Sequence, residues 1–168
     1  MLATLRDKMV GLAVEVGDGA VWANASRSRM AHSLVLVPAD RPAGDYWIGN
    51  MIPTVIDDDL AAARARNRKT LQGYVALPNY RNYWKECGYV EEMAAIEKAI
   101  AEKRNDDVPG LLTDRWLADT TLFGPASKVR DGVEARRAAG VKTPILVPSA
   151  VSGGQMRAIE NLLTAYKS

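Results

Sequence analysis

Apolar positions in this chain fall into two rhythms. Four short stretches, Met1–Leu5, Ala20–Ala25 (AVWANA), Tyr46–Ile56 (YWIGNMIPTVI) and Thr143–Val147 (TPILV), are nearly continuous runs of apolar residues. Such runs read as strands buried on both faces. Between them the apolar residues recur at helical spacing. From Asp7 to Gly17, Met9, Leu12, Ala13 and Val16 share one face, and Gly17-Asp18-Gly19 turns the chain. Ser26 or Ser28 caps a helix running toward Val37, and Pro38–Gly44 reads as a loop.

Asp57-Asp58-Asp59 supplies an N-cap and first-turn acids for a helix from Leu60 to Ala76, which Pro78 ends. NYRNYWKECGY follows, then helices over Val90–Lys103 and Leu111–Thr120, separated by a break at Asn105–Pro109. Pro125 opens a helix that runs to Ala139 and is capped by Gly140. Gly153-Gly154 open the last helix, whose stripe is Met156, Ile159, Leu162, Leu163 and Tyr166. The order β-α-β-α-β-ααα-α-β-α places strands and helices in alternation, so each crossover returns the chain parallel to the strand before it. The expected class is α/β with about four parallel strands, as a single domain over residues 1–168. The segment at about 60–121 is an insertion-like helical excursion.

Composition narrows this picture. The 168 residues are 48% apolar and 25% charged, the balance of a globular protein with a real core. A net charge of +2, with no basic run free of neighbouring acids, points away from nucleic acid. Cys87 is the single cysteine, which excludes an internal disulfide and fits a reducing cytoplasm. No stretch reads as a secretion signal or a bilayer span, so no membrane partner is expected.

Three stretches carry a resemblance. LATLRDKMVGLAVEVGDGAVWANAS resembles a strand–helix–strand unit of the luciferase-like (LLM class) flavin- and deazaflavin-dependent oxidoreductases. WLADTTLFGPASKVRDGVEARRAAGVKTPILVPSA resembles the end of that family. YWIGNMIPTVIDDDLAAARARNRKTLQGYVALPNYRNYWKECGY resembles the segment between. The resemblance implies an eight-stranded (β/α) TIM barrel of which this chain supplies the C-terminal half. It implies FMN or a deazaflavin coenzyme, in many members with reduced flavin and O2, acting on a small-molecule substrate. A whole TIM barrel takes about 250 residues. Four tilted strands do not close a barrel that needs about eight. A homo-oligomer or a separate N-terminal half would therefore complete it, unless the chain is a fragment. Met1–Leu5 and Thr143–Val147 would be the open edges.

In such barrels the working residues sit at the C-terminal ends of strands. The resemblance places the loop Ala3, Thr4, Leu5 and Arg6 on the cofactor's phosphate side. The family often has glycine there and this chain has none. Asn24 ends an apolar strand, where its amide either meets the cofactor or caps the next turn. Ser152-Gly153-Gly154 reads as a flexible βα turn or a phosphate loop. His32 reads as a surface residue and Cys87 as an unreactive thiol. Tyr80, Arg81, Tyr83, Trp84 and Tyr89 read as a lid over an apolar substrate or a subunit contact. The residues carry no triad or metal signature. That is compatible with an oxidoreductase whose flavin does the chemistry, or with a non-catalytic half-barrel serving as an oligomerisation or binding module.

Overall fold

A computed structural model of the protein describes residues 1–38 and 46–167; most of the loop read at Pro38–Gly44 lies outside the described residues. Five parallel strands form one sheet: β1 (Leu2–Thr4), β2 (Gly19–Ala23), β3 (Trp47–Ile56), β4 (Leu122–Gly124) and β5 (Thr143–Pro148). Helices α1 (Asp7–Val16) and α2 (Arg27–Leu34) follow β1 and β2. Between β3 and β4 run α3 (Leu60–Val75), α4 (Pro78–Glu86), α5 (Val90–Ala101), α6 (Val108–Leu111) and α7 (Asp114–Thr120). Helix α8 (Ala126–Ala138) precedes β5 and α9 (Gly154–Ala165) follows it.

β3 outruns its neighbours. Its first half pairs with β2, from Gly19↔Trp47 to Ala23↔Met51, and its last three residues pair with β4. The backbone bonds Asn24 N–H to Met51 O and Asp57 N–H to Gly124 O use alternate positions of β3, so β4 takes over the edge that β2 leaves. The opposite edge of β3 carries β5, from Gly49↔Thr143 to Thr54↔Pro148. Four staves result, β1, β2, β3 and β5, with β4 as a short continuation. The sheet is not closed: among the described residues β1 pairs only with β2, and β5 only with β3.

One sheet face is covered by helices. Ala20, Trp22 and Ile48 join Val10 and Ala13 of α1 and Met30 of α2 in the main core. Ile52 and Leu122 pack against Val129 and Val133 of α8. The other face is largely bare, with Ala3, Met51 and Val147 exposed. On it the Trp47 ring folds over Gly49, where a Cβ would come within 2.3 Å of the ring. Gly140, at φ +97°, turns the chain out of α8 against Leu34.

Several expectations are corrected. Pro78 does not only end α3; it is the first residue of α4, a position where its missing N–H costs nothing. The aromatic cluster is core rather than lid. Tyr83, Trp84 and Tyr89 are buried, and the Trp84 ring meets Trp116 edge-to-face at 4.8 Å. Helix α1 buries Val10 and Ala13, while Met9, Leu12 and Val16 face outward. Helix α9 seats itself through Ala158 and Ala165, leaving Met156, Ile159, Leu163 and Tyr166 exposed. Both helices flank the sheet's open edges, and among the described residues their apolar stripes are uncovered. Asp59 caps α3 as expected, accepting from the N–H groups of Ala61 and Ala62.

Candidate functional site

The C-terminal ends of the staves carry the polar groups. Two residues beyond the Thr4↔Trp22 pair, β1 leads to Arg6 and β2 to Asn24. Asn24 has φ +57°, in the left-handed region that few side chains other than Asn and Asp tolerate. It is only 4% exposed, its N–H donates to Met51 O at 3.0 Å, and its side-chain Nδ2 has no partner. A buried amide left unpaired on a strained backbone is costly, and such costs gather at binding sites.

The loop before α1 is divided in its roles. Ala3 is exposed on the bare sheet face. Thr4 is buried, with its hydroxyl directed at Val21 O at 3.4 Å, and Leu5 packs against the core. Arg6 is the N-cap residue of α1 without a side-chain cap bond. Its guanidinium pairs with Glu86 of α4, through Nε at 2.8 Å and through Nη2. That contact holds the guanidinium above its ordinary pKa. A cleft of about 430 Å³ opens here, lined by Arg6, Asp7, Lys8, Met9, Arg29 and Glu86. His32 does not line it, but its Nε2 is 3.3 Å from the lining Asp7.

The N-terminus of α2 is filled from within. The Ser26 N–H donates to the Tyr83 hydroxyl at 3.1 Å. The Ser28 N–H and hydroxyl donate to the two carboxylate oxygens of Asp119 at 2.9 and 2.7 Å. The Tyr89 hydroxyl also donates to Asp119, at 2.8 Å. An anion at a helix N-terminus is favoured by the macrodipole. Here the excursion supplies that anion itself, so this end of α2 is closed to an external one. Below it the buried Arg136 donates to the backbone oxygens of Asp119 and Thr121 at 3.2–3.3 Å. Burial draws its pKa down to about 10, which leaves it charged at neutral pH.

Sequence reasoning singled out neither Asp119 nor Arg136. The available signal was one acid in the middle of the otherwise uncharged stretch WLADTTLF. At the far edge, Gly153 and Gly154 enter α9 with φ of +79° and +72°. The Gln155 side chain donates to Pro148 O at 3.3 Å, so this turn is tied to its own strand.

Cys87 lies beside this network. Burial pushes its thiol up to about 11, partly offset by hydrogen bonds with Ser26 and Tyr83. Below that pH the thiol keeps its proton, and the thiolate is the reactive species. Cys87 should therefore react with DTNB at pH 7.5 much more slowly in the folded protein than in urea. Comparable rates in the two conditions would contradict the burial.

Among the described residues, no helix is long and apolar enough to cross a membrane. No curated protein matches the chain. Among solved structures, it is similar to the coenzyme F420 dependent tetrahydromethanopterin reductase from Methanopyrus kandleri, with a TM-score of 0.75 at 18% identity. The match takes in 95% of this chain and 47% of the reductase chain, so the chain spans about half the length of that relative. At that identity the likeness speaks for the α/β barrel-type fold alone. The sequence profile of the luciferase-like monooxygenases matches residues 1–143, and the chain belongs to that family.

Proposed function

We propose that this chain is the C-terminal portion of an oxidoreductase that uses reduced FMN or a deazaflavin on a small organic substrate in the cytoplasm. The observation that carries the reading is Asn24: a buried, unpaired amide donor on a strained backbone at the C-terminal end of β2. Membership of a flavin- and deazaflavin-using family supports it. The bound flavin would supply the hydride chemistry; the protein supplies binding, orientation and exclusion of water.

Arg6 offers a charged donor for a phosphate once it parts from Glu86. Both partners are substantially exposed, so their pair contributes at most about 1 kcal/mol and a phosphate can displace it. The Asn24 amide offers a donor to the cofactor's polar edge. Ala3, Thr4 and Leu5 hold the backbone between them. With Asp119 occupying the N-terminus of α2, an external phosphate is directed to the Arg6 cleft. The bare sheet face leaves the site half-walled, and another copy of this chain or a separate N-terminal half would complete it. The same bare face favours the second reading, a non-catalytic half-barrel that serves as an oligomerisation or binding module.

Titration of the purified chain with FMN and with reduced deazaflavin, followed by absorbance and fluorescence, separates the two readings. Absence of binding at tens of micromolar would overturn the enzyme reading. Two variants test the site. Arg6→Ala should weaken FMN binding about tenfold or more, the value of a charged hydrogen bond, and leave riboflavin binding unchanged. Asn24→Gly should leave stability within about 1 kcal/mol, since glycine accepts the positive φ, while weakening both ligands. Equal losses of FMN and riboflavin in Arg6→Ala would remove Arg6 from the phosphate role.

A further inference from the structure

We propose that Tyr83 is a positioning residue for Asn24: by accepting the Ser26 N–H, its hydroxyl holds the turn in which the Asn24 amide stays free for a ligand. The inference rests on the flavin reading above and adds to it the group that sets up the candidate donor. Three residues, Asn24, Ala25 and Ser26, join β2 to α2, and all three are buried. Connections usually run over the surface, where water satisfies their backbone. In a buried turn protein groups must do so. The Asn24 N–H donates to Met51 O on β3 at 3.0 Å, and the Ser26 N–H donates to the Tyr83 hydroxyl at 3.1 Å. The two bonds bracket Asn24, one from the sheet and one from α4.

Between those bonds Asn24 keeps φ at +57°. A left-handed side-chain-bearing residue persists only where its surroundings over-determine it. The Ser26 bond is the constraint on its C-terminal side. An asparagine that served only to turn the chain would spend its amide on the local backbone. Here Nδ2 makes no bond within the chain, although the residue is 4% exposed. The turn is held from two sides, and the group it presents gives nothing back to the fold. That combination suits a donor kept ready for an external acceptor.

Tyr83 is placed to do the holding. Its ring is buried, and the neighbouring Trp84 locks α4 against Trp116. The hydroxyl's own proton is directed at Cys87, one turn further along α4, which leaves its lone pairs to the Ser26 N–H. Burial holds the hydroxyl's pKa well above the ordinary tyrosine value, so that proton stays in place at neutral pH. Glu86, three residues after Tyr83 and so on the same side of α4, pairs with Arg6. One helix of the excursion thus reaches both residues assigned to the cofactor.

Tyr83→Phe removes the hydroxyl and keeps the ring, so the native far-UV circular dichroism should persist. The Cα and Cβ carbon shifts of Asn24 in NMR spectra report the sign of φ. They should leave left-handed values in Tyr83→Phe and hold them in Tyr89→Phe, which removes another hydroxyl from the same network. Titration with riboflavin and FMN reads the consequence. Tyr83→Phe should weaken both about tenfold, and Tyr89→Phe neither. In an Asn24→Gly background the Tyr83 substitution should cause no further loss, because the residue it positions is gone. A purely structural hydroxyl would lower the melting temperature and move none of these readouts. Unmoved Asn24 shifts in Tyr83→Phe overturn the proposal, as does a further loss in the Asn24→Gly background or an equal loss in Tyr89→Phe. In the unsubstituted chain, a Ser26 amide that exchanges with solvent as fast as an exposed one overturns it without any variant. A wild-type chain that binds no flavin refutes the enzyme reading, while the Asn24 shifts still decide on Tyr83.

Discussion

Trp116→Ala should lower stability by about 3–5 kcal/mol, among the largest single losses available in this chain. The indole is fully buried on α7 and meets the Trp84 ring edge-to-face, inside the core that joins α4, α5 and α7 to the sheet. Its Nε1 has no hydrogen-bond partner, so the loss is one of packing and cavity formation. For a chain of this size each kcal/mol lowers the melting temperature by about 2–4 °C. A fall of roughly 6–20 °C is therefore expected in a thermal melt followed by circular dichroism. Val35→Ala, at an exposed position, should stay within about 0.5 kcal/mol. A shift of only a degree or two for Trp116→Ala would mean that the excursion is not packed as described.

Asp119→Ala should cost about 3 kcal/mol by a different route. It removes the acceptor of three donors at once: the part-buried Ser28 N–H and hydroxyl, and the buried Tyr89 hydroxyl. It also removes the acceptor at the N-terminus of α2, where capping side chains contribute about 1 kcal/mol. The carboxylate favours the charged form of the buried Arg136, so that cation loses support as well. Tyr89→Phe alone should cost about 1 kcal/mol. Because both act on one network, the double variant should lose less than the sum of the two singles. Urea denaturation of the four proteins measures that coupling, and strict additivity would show that Tyr89 and Asp119 act independently.

The four staves were legible because parallel strands covered by helices carry near-continuous apolar runs, and Trp47–Ile56 is long enough to leave no ambiguity. β4 was not legible. Leu122–Gly124 is three residues long and is a strand only because β3 extends past β2 and offers it an edge. α4 was hidden by Pro78, since a proline both ends one helix and starts another. The stripes of α1 and α9 were visible as spacing, but spacing does not say which neighbour a stripe meets. On α1 the seat is Val10 together with Ala13, the one stripe member turned inward, and on α9 it is Ala158 and Ala165. Arg6 and Asn24 could be placed at strand ends from the sequence. Their neighbourhood could not, because Glu86 reaches Arg6 across 80 residues, and Tyr83 and Asp119 reach Ser26 and Ser28 at the start of α2 across 57 and 91.

That last separation also has a bearing on time. The N-terminus of α2 has no side-chain cap of its own. Its acceptor is Asp119, 91 residues downstream of Ser28. At 5–20 residues per second, synthesis delivers that carboxylate on the order of ten seconds after Ser28 is made. Until then α2, with only eight residues, is too short to hold together in water. Assembly on the ribosome is therefore late and concerted: β2 and α2 wait, unfinished, for the excursion that completes them.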